Sequence, residues 1–302
     1  VAKPGFQASA NIEFQLTEAG RSSADAAFEQ SLYVGPVPVP FSVYCDQVTK
    51  QAIGAERISE PMIRKGLGDL LMAENLVKQI GPAVNSGQSI LLYGPPGNGK
   101  TSVAERIGNI FNATIYVPHC FEIGGQIIKV FDPAVHKEVR QDALEKNIAP
   151  SIMRDETDHR WVACRRPFIV TGGELTLEML DLSFNPLAKF YEAPLHIKAL
   201  NGIFLIDDFG RQIVSPEALL NRWIVPLASR VDYLKLHTGK SFSIPFDELV
   251  IFSTNLAPNQ LMDPAFLRRI PYKIEIGAPS LGDYHEIFNR IASKKSIAIE
   301  PG

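Results

Sequence analysis

Gly94-Pro95-Pro96-Gly97-Asn98-Gly99-Lys100-Thr101 follows the spacing G-x-x-x-x-G-K-[ST]. That spacing suits one task, the grip on a chain of phosphates. Gly97 and Gly99 let the backbone curl so that successive N–H groups face one anion. A helix starting at Lys100 adds the positive end of its dipole. The Lys100 ammonium can reach the outer phosphates, and the Thr101 hydroxyl can ligate magnesium. The phosphate-binding candidates are therefore Gly94, Pro95, Pro96, Gly97, Asn98, Gly99, Lys100, Thr101 and Ser102.

A second group of chemistry-bearing residues ends an apolar run. Ile203-Phe204-Leu205-Ile206 leads into Asp207-Asp208. A carboxylate at such a strand end, beside a phosphate loop, holds magnesium, and Asp207 fits that role. A second carboxylate can take a proton from an attacking water, which makes Asp208 the candidate base. Read alone, the pair could also be turn residues capping the next segment. Val250-Ile251-Phe252-Ser253-Thr254 ends in Asn255, an amide placed to reach the outer phosphate. Asp263-Pro264-Ala265-Phe266-Leu267 precedes two adjacent arginines, Arg268 and Arg269.

Positioning these groups requires strands and helices in alternation. Strands are expected at Ser89–Tyr93, Thr114–Val117, Ile203–Ile206 and Leu249–Ser253, with helices at Lys100–Phe111 and Pro216–Ser229. Residues 61–84 keep a 3.6-residue apolar period through Leu67, Leu70, Leu71, Ala73, Leu76, Val77 and Ile80, and Gly81-Pro82 is read as the stop. Val135–Ala149 reads as a helix, and His159–Cys164 with Pro167–Val170 as a small hairpin. Short all-apolar strands between helices imply a parallel α/β sheet covered on both faces. Ile12–Leu16 alternates like a strand, Thr17–Arg21 reads as a turn, and Ser23–Leu32 permits a helix. Val34–Pro40 is a Pro-punctuated linker or strap.

Composition narrows the class. The chain has 302 residues and Lys+Arg 30 against Asp+Glu 33, a net charge of −3, so no global basic field holds nucleic acid. No apolar run reaches the roughly 18 residues a membrane helix needs. Cys45, Cys120 and Cys164 form neither a disulfide framework nor a metal finger, which points to the cytoplasm.

In this order, GPPGNGKT (Walker A), IFLIDD (Walker B), IFSTN (sensor 1) and DPAFLRR (arginine-finger region) resemble the AAA+ ATPase superfamily from about Gly66 to Ser280. The resemblance implies a P-loop NTPase fold, a three-layer parallel sheet, with ATP/ADP and Mg2+ as cofactors. It implies a short N-terminal extension and linker over 1–60, a nucleotide-binding core over 61–278 with an insertion near 124–200, and the start of a partial helical lid over 279–302. Asn255 would be sensor 1. Arg268 or Arg269 would reach a neighbour's ATP, since such proteins work as rings, most often hexamers, that remodel a protein client. Leu234–Ile244 reads as a hairpin just before the sensor-1 strand and resembles the pre-sensor-1 insertion clade, which includes MoxR-type chaperones and bacterial enhancer-binding activators.

Three departures shape the expectation. Walker B ends Asp-Asp where Asp-Glu is usual, so a nucleotide-dependent assembly switch with slow hydrolysis is the alternative to a motor. The stretch between Lys100 and Asp207 is long, and Asp132–Arg166 within it is balanced in charge. Ser280–Gly302 is too short for a full lid, and Arg290 comes early for a sensor-2 arginine. Phe121 and Ile123 are candidate pore contacts or packing residues. His119 is read at the end of the second strand. Arg160-Trp161 with Arg165-Arg166 is a solvated face, a subunit contact or a single-strand binder, and FQLTEAGR (Phe14–Arg21) is similar to the last strand of a winged helix, so a DNA-linked activator stays as a further alternative.

Overall fold

The computed structural model describes residues 15–68, 70, 74–139, 158–261 and 263–295. Its main sheet contains β1 (Ile90–Tyr93), β2 (Phe168–Thr171), β3 (Ile203–Ile206), β4 (Leu249–Thr254) and β5 (Tyr272–Glu275). The strands are all parallel, in the order β5–β1–β4–β3–β2. Register places Ile90 opposite Ile251 and Ile203 opposite both Leu249 and Phe168.

The two-residue period of the strands splits their apolar side chains between two layers. Ile90, Leu92, Ile203, Leu205, Leu249 and Ile251 pack against Ile80, Ala83, Val103 and Ile107 on one face. Leu91, Phe204, Ile206, Val250 and Phe252 pack against Leu219, Leu220 and Trp223 on the other. Each large side chain so buried contributes about 1.5–3 kcal/mol. The expected three-layer α/β sheet is therefore the fold of this chain.

A second sheet lies outside that frame. Its order is Val39–Pro40, Cys120–Ile123, Gln126–Lys129, Phe190–Glu192 and Ser183–Asn185. It has a core of its own, in which Phe121, Ile128 and Tyr191 meet Leu234, Leu236, Phe242 and Ile244. Those last four belong to a hairpin, Val231–Lys235 with Ser241–Pro245, that leads into β4. The hairpin read from the sequence at this place is present.

Several local expectations are corrected. The helix over 61–84 is two helices, Glu60–Leu67 and Glu74–Ser86, and the first is capped by the Gly68 N–H bonding to the Arg64 carbonyl. Leu71 and Ala73 lie outside the described residues. Gly81-Pro82 does not stop the second helix. Pro82 is exposed, as is Lys78, so the carbonyl that loses its donor faces solvent. Thr114–Pro118 is a strand but pairs antiparallel with Trp161–Arg165, not with β1, so the sheet's second strand is β2. Hence His159–Cys164 and Pro167–Val170 are not one hairpin: the first region pairs with Thr114–Pro118 and the second with β3.

Val135 to Val139 is a turn and an isolated bridge at Glu138, not a helix, and 140–149 lie outside the described residues. Thr17 caps a helix over Glu18–Gln30, accepting from the Gly20 N–H, so Glu18–Arg21 are neither a turn nor a winged-helix strand. Most of Ile12–Leu16 lies outside the described residues. Val39–Pro40 runs parallel to Phe121–Glu122, so this part of the Pro-rich segment is a strap on the second sheet. Among the described residues, no helix is long and apolar enough to cross a membrane.

Candidate functional site: a phosphate loop at the carboxyl edge of the main sheet

Because β1, β4 and β3 are neighbours and parallel, their carboxyl ends stand side by side. Gly94 follows β1, Asn255 follows β4 and Asp207 follows β3. Residues far apart in sequence therefore meet at one edge. Gly94 has φ +143°, and a Cβ there would sit 2.3 Å from the Ile276 carbonyl oxygen. Only glycine allows β1 to turn out of the sheet so close to the chain leaving β5. The Asn98 amide donates to the same carbonyl at 3.2 Å and fastens the loop tip. Gly99, in the left-handed region, precedes the helix Lys100–Gly108, whose first N–H groups point into the loop.

The side chains form a connected network. Lys100 Nζ donates to the carbonyls of Gly94 at 3.0 Å and Pro95 at 2.9 Å and to Asn255 Oδ1 at 2.6 Å. The Asn255 Nδ2 donates onward to Asp208 Oδ1 at 3.3 Å. The Thr101 hydroxyl donates to Asp207 Oδ2 at 2.9 Å. Burial pulls the Lys100 pKa below its ordinary value, and the charges of Asp208 and Asp207 oppose that shift. Lys100 is only 7% exposed, so it is held in place rather than swinging in solvent.

Asp207 and Asp208 do not cap the next helix: Ser215 does that, accepting from the Ala218 N–H. Asp208 has φ +48°, a left-handed backbone that costs a non-glycine residue of order 1 kcal/mol. Its neighbours hold it there. The Asp207 N–H donates to the Thr171 carbonyl, and the Phe209 N–H to the Ser253 carbonyl. Thr254 Oγ1 donates to the Phe209 carbonyl at 2.7 Å.

A cleft of 810 Å³ opens beside the loop, lined by Leu70, Leu76, Gly97, Asn98, Gly99, Ser102, Ile276, Pro279, Tyr284 and Arg290 among others. Its far wall is the helix Leu281–Lys294, which Ser280 and Asp283 cap reciprocally. Sequence reasoning missed the apolar walls given by Leu70, Ile276 and Tyr284, and the supports Thr171, Thr254 and Gln212. For Thr171, Thr254 and Ile276 the only sequence signal is position, within or directly after a strand end; Leu70, Gln212 and Tyr284 carry none.

Arg268 and Arg269 lie elsewhere. The Arg269 carbonyl accepts from Ser89 Oγ at 3.1 Å, at the amino end of β1. The loop starts at the other end of that strand, roughly 16 Å away at 3.3 Å per residue. Arg268 is exposed and Arg269 half-buried. Three further candidates also sit away from the loop. His119 bonds to Arg160 and Val130 backbone and packs edge-on against Phe131, so it ends no main-sheet strand. Phe121 is fully buried in the second core, and so is a packing residue. Arg160 pairs with Asp158, and Arg166 with Glu56 and the carbonyls of Gln51 and Asn201, which ties both basic groups to the chain.

Comparison with known proteins agrees with this geometry. Residues 90–161 match the model of the ATPase family associated with various cellular activities (AAA). The match spans β1, the loop and the helix, and ends before β2. A proteasome-activating nucleotidase of Archaeoglobus fulgidus is 27% identical over 201 residues, 64% of this chain and 48% of that protein. The 26S proteasome regulatory subunit 6B homolog of Encephalitozoon cuniculi is 24% identical over 86% of this chain and 53% of its own length. The vesicular-fusion protein sec18 of Schizosaccharomyces pombe is 40% identical over 200 residues, 60% of this chain and 24% of that protein. The chain spans about half or less of these curated relatives. Sheet order, loop and matched segment together define an AAA+ ATPase core.

Proposed function

We propose that the chain binds ATP in the cleft beside Gly94–Ser102, hydrolyses it, and works as a ring that remodels a protein client. The observation that carries the reading is the unbroken path Lys100–Asn255–Asp208, beside Thr101–Asp207, across three neighbouring strand ends. The loop amides and Lys100 bind the phosphates, with Lys100 exchanging its carbonyl partners for phosphate oxygens. Asp208 accepts a proton from the attacking water, and Asn255 orients that water through its fixed amide. The hydroxyl of Thr101 and the carboxylate of Asp207, 2.9 Å apart, are hard oxygen donors of the kind Mg2+ takes. That ion would neutralise charge on the outer phosphates.

The ring rests on the arginines. Placed at the amino end of β1, Arg268 and Arg269 cannot serve the chain's own loop, and guanidinium suits phosphate recognition across an interface. The relatives named for proteasome activation and vesicular fusion support a protein client. The hairpin before β4 supports the pre-sensor-1 clade, and three free cysteines support a cytoplasmic setting. A second reading, a nucleotide-dependent switch with slow turnover, is favoured by the short Asp208 side chain. Turnover measured against protein concentration tests both. A rate per subunit that rises with concentration and is lost in Asp208→Asn supports the ring ATPase; a negligible rate with nucleotide-dependent assembly supports the switch.

A further inference from the structure

We propose that Gln212 is a positioning residue for Asp208, closing the turn after β3 so that the candidate base faces Asn255. The inference rests on the reading of Asp208 as the base. The turn runs from Asp207 to Gly210, and one side-chain amide clasps both ends. Gln212 Nε2 donates to the Asp207 carbonyl at 2.8 Å, and Gln212 Oε1 accepts from the Gly210 N–H at 2.8 Å. One partner only accepts and the other only donates, so the amide has a single orientation that satisfies both. Glutamate lacks the donor, methionine offers neither group, and asparagine is a methylene short.

The clasp matters because of what lies inside it. Asp208 holds φ +48°, and its own N–H bonds to Asp207 Oδ1 at 3.0 Å. Relaxing that backbone toward ordinary φ would swing the Asp208 carboxylate away from Asn255. The β4 side is anchored independently, through Phe209 N–H to Ser253 and Thr254 to Phe209. Gln212 is the only side chain among the described residues that is seen to bond to both ends of the turn. It is half-buried, and its hydrogen bonds go to Asp207 and Gly210, on either side of Asp208. Among the described residues none goes to the phosphate loop or Asn255, so its influence passes through Asp208.

The test uses the full chain with Gln212→Met, matched in volume, and Gln212→Glu, which keeps the acceptor and loses the donor. Both should lower kcat by about tenfold to a hundredfold, the scale of a misplaced reacting group, while ATP affinity stays within about twofold. In an Asp208→Asn background, Gln212→Met should add no further loss, because the group it positions is already disabled. Melting curves confirm that the variants are folded. Parental kcat in both variants, an equal loss of affinity and rate, or a full multiplicative loss in the Asp208→Asn background each overturns the inference. Parental turnover in Asp208→Asn alone overturns the underlying reading of Asp208, and is visible without any change at Gln212.

Discussion

The main sheet and the second sheet have five strands each, yet they use polar groups in different ways. At the carboxyl edge of the main sheet, Lys100, Thr101, Asp207, Asp208 and Asn255 bond to one another across strand ends. Charges that an ordinary protein would spread apart are concentrated there beside a cleft. In the second sheet the polar ties fasten elements together. The Tyr191 hydroxyl hydrogen-bonds to the His237 ring and accepts from the His237 backbone N–H, and Phe184 stacks on that ring at 4.0 Å. His237 sits in the tip of the hairpin that leads into β4. One region gathers charge and the other anchors a hairpin, so chemistry is expected at the first and rigidity at the second.

The largest effect should come from the arginines. Arg268→Ala or Arg269→Ala should leave ATP affinity nearly unchanged, and at least one should cut turnover by roughly a thousandfold. Mixing that variant with Lys100→Met subunits should restore part of the rate, because each supplies the half-site the other lacks. Absence of rescue between folded, assembling variants would mean that the site is complete within one chain.

Next in size is Asp208. Asp208→Asn should slow hydrolysis by about a hundredfold and leave ATP bound. Asp208→Glu should raise the rate if the short side chain limits it. Steady-state phosphate release separates the two, and parental rates in both variants would take Asp208 out of the mechanism.

The amino end of β4 offers a pH-dependent contrast. Glu248 is fully buried, with no hydrogen-bond partner for either carboxyl oxygen among the described residues. Burial pushes its pKa well above the ordinary value of 4.5; Arg230 lowers it, and Asp232 and Asp247 reinforce the rise. The folded state thus prefers the protonated form. The stability this gives is present below the unfolded pKa, near 4.5, and is lost as pH rises through the folded value. Denaturant melts of Glu248→Gln should diverge from the parent as pH rises above about 4.5, in favour of the variant, by up to about 1.4 kcal/mol per pH unit until the folded value is passed. Parallel curves for the two proteins from pH 4.5 to 8 would show that Glu248 ionises normally.

The smallest effect belongs to the second sheet. His237→Ala removes one ring stack and one hydrogen bond and should cost about 1–2 kcal/mol of stability. ATP affinity and turnover should stay within about twofold. A larger loss of turnover would break the separation between the regions and give the hairpin a part in the chemistry.

The main sheet was largely legible because its strands are short apolar runs and its polar groups stand at their ends. What local pattern could not supply was partnership. Thr114–Pro118 reads as a strand and is one, but nothing in it says that it pairs with Trp161–Arg165 instead of β1. Phe168–Thr171 carries no motif, so its place as β2 emerges only from pairing with β3. Pro82 misled because a helix tolerates proline where the orphaned carbonyl faces water. At the site, motif residues could be named from spacing, whereas Thr254 and Gln212 act through backbone groups that a sequence does not display.

Equilibrium ATP titration of the parent and of Lys100→Met, with Mg2+ present, tests the central claim most directly. The account predicts saturable binding by the parent. It predicts a loss of about a hundredfold in the variant, since charge-assisted bonds to phosphate worth about 1.5–3 kcal/mol each disappear. Parental affinity within about threefold, in a variant whose melt matches the parent, would contradict it and place the nucleotide away from this loop.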